Sequence, residues 1–350
     1  MKNLRARLDQ LYEFDQLIDT RTPLEFAEDH IPGALNAPVL SNEERVIVGT
    51  LYKTSPFEAT RLGAAMVARN IAHHLDTLFA DRPAGWRPLI YCWRGGKRSG
   101  SMSSWFQLIG WKAQQLEGGY KAYRGQVRER LAQLPGQLRW RVLAGETGSG
   151  KTRLLQALAE EGEQVLDLEA LACHRGSLLG ALPGQRQPSQ KWFDSQLLDA
   201  LRRFDPARVV WVEAESKRIG QLQLPTALMQ AMQAADCLQL TASPAARVAY
   251  LCRDYAHLFD RPDDFKTMLD KLAPLHGNAV IAHWHALIDQ AADLDLFTEL
   301  LASHYDPAYL RSNKRQLSRL AAAPQFSFEP STDDSRAQAA RLLDSLQARP

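Results

Sequence analysis

Short apolar runs of strand length alternate with amphipathic stretches over the first part of the chain. Two of the runs end at Asp19 and at Cys92, and each is followed by residues with the apolar spacing of a helix. From Met102 to Ile109 apolar side chains recur at i, i+3, i+4 and i+7, which predicts a helix that buries this face and ends at Gly110. The alternation indicates an α/β fold with parallel strands.

A second set of strand patterns follows Pro135-Gly136, a dipeptide typical of a domain boundary. From Thr241 onward the pattern is helical, and the last twenty residues of the 350 are predicted to be a loosely held tail. The predicted strands of the second set cover residues 139–144, 164–169 and 208–216. The chain is therefore divided into two parallel-sheet domains and a helical C-terminal region, with the ranges 1–135, 136–242 and 243–350.

The composition is that of an ordinary soluble protein, with 45% hydrophobic residues, 23% charged residues and a formal charge of +2. Neither a signal-peptide pattern nor an apolar run of membrane-spanning length occurs, so we expect a cytoplasmic protein with no membrane partner. The four cysteines lack CxxC spacing, which argues against a disulfide scaffold and a zinc ribbon. The net charge is too small to identify a nucleic-acid-binding protein.

Cys92 ends a predicted strand and is followed by two glycines, basic residues and a predicted helix start. Backbone N–H groups, the helix dipole and nearby cations all favour a thiolate, so a reactive cysteine is predicted rather than a buried structural one. The candidate catalytic residues of this loop are Cys92, Arg94, Gly95, Gly96, Lys97 and Arg98.

The N-terminal region resembles a rhodanese domain, through Ile18 to Phe26 and through Glu28 to Pro38. The resemblance implies a rhodanese-like parallel-sheet domain with its active cysteine on a later loop, where Cys92 stands. Four polar residues match family positions that mainly hold the domain together, and they are interpreted as structural rather than catalytic: Asp19, Arg21, Glu25 and His30.

The Cys92 loop is one residue longer than the common rhodanese loop, because Arg98-Ser99 gives the spacing Cys-x5-Arg-Ser. This spacing is also that of the phosphate cradle of cysteine-dependent phosphatases and arsenate reductases. A wider ring of N–H groups with an arginine fits a tetrahedral oxyanion. A phosphorus-bearing chalcogen donor would suit such a loop.

A phosphate-binding motif follows the predicted strand at 139–144. It fits G-x4-G-K-[ST] and precedes a helical pattern, the context of a P-loop NTPase-like domain. Lys151 would neutralise a diphosphate, and the Thr152 hydroxyl would hold Mg²⁺. The candidate phosphate-binding residues are Gly145, Thr147, Gly148, Ser149, Gly150, Lys151 and Thr152.

Glu213 and Glu215 end the predicted strand at 208–216, where a P-loop protein carries its metal-linked acid. Glu213 is the preferred candidate and, with Thr152, the second predicted Mg²⁺ ligand. Glu215 either shares that role, contacts substrate, or pairs at the surface with Lys217 or Arg218. His174 and Arg175 lie on a polar loop that is predicted to touch substrate, whereas the adjacent Cys173 is expected to be unreactive.

Several motifs together resemble the bacterial tRNA 2-selenouridine synthases. They are the Cys92 loop, the P-loop, Val165 to Glu169, His174 to Ser177, Gln187 to Lys191 and Val212 to Ser216. The resemblance implies a transferase that converts 2-thiouridine to 2-selenouridine at the wobble position of tRNA. It implies geranyl diphosphate and selenophosphate as co-substrates, no tightly bound cofactor, and tRNA and the selenophosphate-producing enzyme as candidate partners.

Under this resemblance the P-loop holds the diphosphate of geranyl diphosphate, and Cys92 takes selenium as a selenylsulfide. Alkylation turns the sulfur on C2 of uridine into a leaving group, which explains why two sites are needed. Two alternatives remain open: an NTP-dependent tRNA sulfurtransferase, and a regulator with a phosphatase-like oxyanion cradle. A basic face with Arg311, Lys314, Arg315 and Arg319 would follow an RNA backbone or would simply be a solvated stripe.

Overall fold

The computed structural model describes residues 4–316, 319–332 and 334–347, with the side chains of 312–316 left undescribed. It contains two compact units, one formed by Met1–Arg130 with Pro188–Asp199 and the other by Leu131–Gln187 with Ala200–Pro350. The segment Pro188–Asp199, which the sequence division assigns to the P-loop domain, thus packs in unit 1. No helix in the described ranges is both long and apolar enough to cross a membrane.

Unit 1 is built on a five-stranded sheet with the order β1-β5-β4-β2-β3, and every pair is parallel. Its strands are β1 Arg5–Ala6, β2 Gln16–Asp19, β3 Leu35–Asn36, β4 Pro88–Tyr91 and β5 Gln114–Leu116. Its helices are α1 Pro23–Glu28, α2 Asn42–Thr54, α3 Pro56–Asp76, α4 Lys97–Ile109 and α5 Gly119–Gln133. The predicted α/β class with parallel strands is confirmed.

Helix α4, which follows the cysteine, ends at Gly110 in the left-handed conformation, as predicted. Its buried face is narrower than predicted, because Trp105 and Ile109 are 47% and 49% exposed. Met102 and Phe106 are buried together with small polar side chains, Ser99 and Ser103. Helical spacing alone did not reveal that serines fill part of the contact with the sheet.

The segment Pro188–Asp199 includes most of helix α8, Gln190–Leu201. Arg124 of α5 donates to Asp194 Oδ2 at 3.0 Å and to the carbonyl of Lys191 at 3.0 Å. The His30 ring is stacked between Phe26 at 3.7 Å and Trp192 at 4.0 Å. His30 therefore has a packing role within unit 1, in keeping with its structural interpretation.

Unit 2 has a parallel five-stranded sheet with the order β12-β11-β6-β8-β7. Its strands are β6 Arg139–Gly145, β7 Gln164–Leu166, β8 Val209–Glu213, β11 Asp236–Thr241 and β12 Gln325–Ser327, and β9 Arg218–Ile219 and β10 Leu222–Gln223 form a separate antiparallel pair. The first helices are α6 Lys151–Glu160, α7 Leu168–Ala172, α9 Thr226–Ala234 and α10 Pro244–Asp254. The strand predicted over 164–169 ends at Leu166, because the Asp167 carboxylate accepts from the Ala170 N–H and begins α7.

The rest of unit 2 is mainly helical, as predicted from the spacing after Thr241. The helices are α11 Pro262–Asp270, α12 Ala273–His276, α13 Asn278–Asp289, α14 Asp293–Leu300, α15 Asp306–Gln316 and α16 Ser335–Gln347, with a π-helical turn at Leu301–Tyr305. The helical pattern over 280–301 is interrupted at Ala291, which has a left-handed backbone. The side chains of Lys314 and Arg315, two members of the predicted basic face, lie outside the described residues.

The prediction of a loosely held C-terminal tail is wrong. Helix α16 packs on α6 and buries Ala339 and Leu342 in the core beside Leu154 and Leu158. The preceding strand β12 pairs with β11. The apolar residues of α16 recur at helical spacing and are buried against α6, which packs on the sheet. This burial of apolar surface stabilises the end of the chain.

Candidate active sites

Cys92 lies between β4 and α4, with only 3% of its surface exposed. Its Sγ accepts hydrogen bonds from the Gly96 N–H at 3.2 Å and from the Ser99 hydroxyl at 3.1 Å. The Gln115 amide donates in turn to Ser99 Oγ at 2.8 Å and to the Gly96 carbonyl at 2.9 Å. Both groups are hydrogen-bond donors of the kind that a sulfur nucleophile accepts from.

Arg98 is held by Glu25, with Nη1 2.7 Å from Oε2 and Nη2 3.4 Å from Oε1. Burial raises the pKa of Glu25, but the hydrogen bond and charge of Arg98 outweigh burial and lower it below its ordinary value. Glu25 is thus a carboxylate that orients the loop arginine. The other two cations of the loop, Arg94 and Lys97, are exposed.

The floor of the loop is fixed by the start of α5. The Tyr120 N–H donates to the Cys92 carbonyl at 2.9 Å, and a Cβ on Gly119 would lie 2.3 Å from that oxygen. The Tyr120 ring also contacts Arg21, which forms a buried ion pair with Asp19 at 2.6 Å. Asp19 and Arg21 therefore support the loop through their contact with Tyr120, which agrees with their structural interpretation.

The P-loop connects the end of β6 to α6, in the predicted strand, loop and helix context. Gly150 has φ +81°, and a Cβ there would lie 2.7 Å from Phe328 and Pro330, so this position needs glycine. Lys151 Nζ donates to the Gly145 carbonyl at 2.8 Å. Burial lowers the pKa of Lys151, while the nearby Glu169 and Glu215 oppose that shift.

Thr152 and Glu213, the two predicted Mg²⁺ ligands, have different partners. The Thr152 hydroxyl donates to Glu169 Oε2 at 3.0 Å, whereas Glu213 Oε1 accepts from the N–H groups of Leu168 and Glu169 at 2.8 and 3.0 Å. Within the described chain, Glu213 Oε2 is buried without a hydrogen-bond partner. Glu213 thus holds the start of α7, and its role as a metal ligand stays a prediction.

Glu169, which the sequence analysis did not select, is the carboxylate beside Thr152, although the segment Val165 to Glu169 was noted. Burial raises the pKa of Glu169, and the charge of Asp167 adds to this shift. Burial and the charge of Glu169 raise the pKa of Glu215 to about 8. Carboxylate and hydroxyl oxygens are ligands that suit Mg²⁺, which commonly takes one or two carboxylates and completes its shell with phosphate and water. The donor set therefore fits a magnesium diphosphate, although no group of three or more His, Cys, Asp or Glu side chains in the described residues could hold an ion alone.

A cavity of about 830 Å³ opens over the P-loop, entirely within unit 2. Its polar end has Lys151, Thr152, Glu169 and Glu215, so the surface pairing of Glu215 with Lys217 or Arg218 is not what the structure shows. The lining also has apolar and aromatic members, called here the apolar wall. They are Leu178, Leu182, Tyr250, Leu251, Tyr255, Tyr305, Ala308 and Tyr309.

His174 and Arg175 both line this cavity, as the sequence analysis expected of a loop that touches substrate. Arg175 pairs with Asp254 at 2.9 Å and lies over the Tyr255 ring at 5.0 Å. His174 Nδ1 accepts from the Gly176 N–H at 3.1 Å, and burial lowers its pKa. The predicted contact with substrate stays a prediction.

Arg247 on α10 supports the P-loop, and the sequence analysis did not find it. Its side chain is 4% exposed and donates to the Thr147 carbonyl at 2.8 Å, to Glu146 Oε2 at 2.6 Å and to Asp306. A buried arginine with three acceptors ties the loop to α15, whose residues Ala308 and Tyr309 line the cavity. No local sequence signal marks such a contact.

Comparison with known proteins places both loops in recognised domains. Residues 2–126 match the Rhodanese-like domain family, and residues 138–273 match the tRNA 2-selenouridine synthase AAA domain. A tRNA 2-selenouridine synthase of Shewanella denitrificans is 35% identical over 333 residues, which cover 84% of this chain and 87% of that protein. The chain belongs to the tRNA 2-selenouridine synthase family.

Other members of the tRNA 2-selenouridine synthase family show the same degree of similarity. The protein of Shewanella halifaxensis is 38% identical over 327 residues, covering 84% of this chain and 87% of that protein. The protein of Nitrosomonas europaea is 35% identical over 247 residues, covering 68% of this chain and 63% of that protein. The resemblance inferred from the motifs is thereby confirmed.

Proposed function

We propose that this chain converts 2-thiouridine at the wobble position of tRNA to 2-selenouridine, as the names of its relatives indicate. The reaction is proposed to proceed through an S-geranylated intermediate, with geranyl diphosphate and selenophosphate as co-substrates. The observation that carries the proposal is one cavity that is lined both by the P-loop with its charged side chains and by apolar and aromatic side chains. An allylic diphosphate has this same division into an anionic and an apolar part.

In the geranylation step the thiocarbonyl sulfur of the uridine attacks the allylic carbon, and diphosphate leaves. Backbone N–H groups of the P-loop and the Lys151 ammonium would hold the leaving diphosphate. A bound Mg²⁺, held by Thr152 and Glu169, would supply further neutralisation of that charge. The tyrosine rings of the apolar wall would stabilise positive charge that develops on the allyl group.

In the selenation step a selenium nucleophile attacks C2 of the base and geranylthiol departs. The Cys92 loop is the proposed site for selenophosphate, because its N–H groups and Arg98 suit an oxyanion. The sequence-based form of this proposal makes Cys92 a selenylsulfide carrier. The proposed partners are tRNA and the enzyme that produces selenophosphate.

The proposal is tested by mass spectrometry of nucleosides after incubation of the protein with tRNA that contains 2-thiouridine. Geranyl diphosphate alone should give S-geranyl-2-thiouridine, and the addition of selenophosphate should give 2-selenouridine. A reaction that needs ATP or GTP and forms no geranylated nucleoside would contradict the proposal. That result would favour the NTP-dependent sulfurtransferase.

A further inference from the structure

The Cys92 loop has the donors of an anion cradle as well as a thiol. The backbone N–H groups of Trp93, Arg94 and Gly95 have no hydrogen-bond acceptor within the described part of unit 1. They lie between Cys92 and the start of α4, whose first N–H groups also lack intrahelical acceptors. Sulfur alone, which already accepts from Gly96 and Ser99, does not need this many donors.

Arg98, in the first turn of the helix that follows these N–H groups, adds a guanidinium to the donors of the loop. A guanidinium has five N–H donors, and the two contacts with Glu25 leave three of them for another acceptor. The side chains are 16% and 27% exposed, so the pair is held in place and still reachable from solvent. A planar, pre-oriented guanidinium is the side chain that recognises tetrahedral phosphate oxygens best.

Ser99 adds a chemical constraint. Its hydroxyl donates to Cys92 Sγ while accepting from Gln115, and both Ser99 and Gln115 are buried. A hydroxyl fixed on sulfur lowers the energy of the thiolate when it attacks and again when it is expelled. Stabilisation of the departing thiolate matters only if Cys92 becomes covalently bonded to a group that is later removed.

Building on the proposed function, we propose that Cys92 attacks the phosphorus of selenophosphate rather than its selenium. The S–P bond forms and the P–Se bond breaks, so Cys92 becomes an S-phosphocysteine and hydroselenide leaves with the bonding electron pair. Hydroselenide then attacks C2 of the S-geranylated base and expels geranylthiol. Water hydrolyses the S–P bond, which returns the Cys92 thiolate and gives orthophosphate.

The electron balance separates this route from the selenylsulfide. Attack on selenium would leave the electron pair on phosphorus and release phosphite, and the S–Se bond would later need an external thiol reductant. Attack on phosphorus changes no oxidation state and needs only water. The phosphorus route also uses every donor of the loop, since the transferred group is the tetrahedral oxyanion that these donors fit.

The test follows phosphorus from selenophosphate by ³¹P NMR, with protein quenched in alkaline denaturant and digested for mass analysis of the Cys92 peptide. We expect orthophosphate and a phosphorylated Cys92. Ser99→Ala should slow hydrolysis of the phosphocysteine on the order of tenfold and make it accumulate, because a hydrogen bond to the leaving thiolate is lost. Ser101→Ala, whose hydroxyl bonds the Lys97 carbonyl on the exposed side of the same helix, is the matched control.

Phosphite in solution with selenium on Cys92 would overturn the inference, and so would orthophosphate release that Cys92→Ser leaves unchanged. Nucleosides analysed from the same incubation with tRNA report on the proposed function separately. Phosphocysteine without any geranylated or selenated nucleoside would refute the proposed function alone. Selenouridine formation without phosphocysteine, even in Ser99→Ala, would refute this inference alone.

Discussion

Replacing Arg247 by methionine removes the side chain that ties the P-loop to α10 and α15. Methionine keeps an unbranched apolar stem like that of arginine but lacks the guanidinium and donates no hydrogen bond. The variant therefore leaves the Thr147 carbonyl, Glu146 and Asp306 without their shared donor. Lys266→Met is the matched control, because it removes a cation of unit 2 whose acceptor, Asp289, is 59% exposed.

The expected loss follows from the burial of the three partners. Removal of one partner of a buried ion pair costs about 3–5 kcal/mol. Glu146 and Asp306 are 38% and 29% exposed, so water would replace part of what they lose. For Arg247→Met we therefore expect the free energy of unfolding to fall by about 2–4 kcal/mol and Tm to fall on the order of 5–10 °C. For Lys266→Met we expect the free energy of unfolding to fall by about 1 kcal/mol or less.

The functional effect is measured as pyrophosphate affinity by calorimetry at a temperature where both variants are folded. Loss of the tether to Thr147 should loosen the P-loop and weaken pyrophosphate binding about tenfold, or roughly 1.4 kcal/mol. The affinity of Lys266→Met should equal that of the unaltered chain. An Arg247→Met protein with unaltered affinity and with the Tm of Lys266→Met would refute the role assigned to Arg247.

Three further predictions concern the other parts of the two sites. Because burial raises the pKa of Glu215 from 4.5 to about 8, the fold loses stability as pH rises through this range. Glu215→Gln should remove that loss, so the variant should be more stable than the unaltered chain by a few kcal/mol at pH 8–9 and equally stable near pH 4. A difference in denaturation midpoint between the two proteins that does not change with pH would contradict this prediction. Gly119→Ala places a Cβ 2.3 Å from the Cys92 carbonyl oxygen and should abolish selenation but leave geranylation. Gly125→Ala lies on the same helix with open space around the added Cβ, and it should change neither nucleoside yield. Leu182→Gln should raise the KM for geranyl diphosphate several-fold without changing pyrophosphate affinity, and equal effects on both ligands would show that Leu182 does not face the apolar chain.

The sequence was sufficient to predict both loops because each is encoded by consecutive residues. A thiol before two glycines and a G-x4-G-K-T segment bring their donors together through local backbone geometry alone. The alternation of strand and helix patterns likewise predicted two parallel sheets. The locations of Cys92 and Lys151 follow from these local features.

The supporting side chains could not be predicted, because they come from distant parts of the chain. Glu25 is 73 residues from Arg98, and Arg247 is 101 residues from Glu146. Only the folded sheets bring these pairs together, and the same holds for the cavity wall formed by α10 and α15. The tail was mispredicted for a related reason, since α16 is stabilised by α6, far earlier in the chain.

The central claim, that two separate sites perform two successive steps, is tested most directly by comparing Cys92→Ser with Lys151→Ala. Each variant is incubated with geranyl diphosphate, selenophosphate and tRNA that contains 2-thiouridine, and the nucleosides are quantified by mass spectrometry. Cys92→Ser should accumulate S-geranyl-2-thiouridine and form no 2-selenouridine. Lys151→Ala should form neither product from this tRNA but should selenate tRNA that is already S-geranylated. Normal selenation by Cys92→Ser, or geranylation by Lys151→Ala at the unaltered rate, would contradict the account.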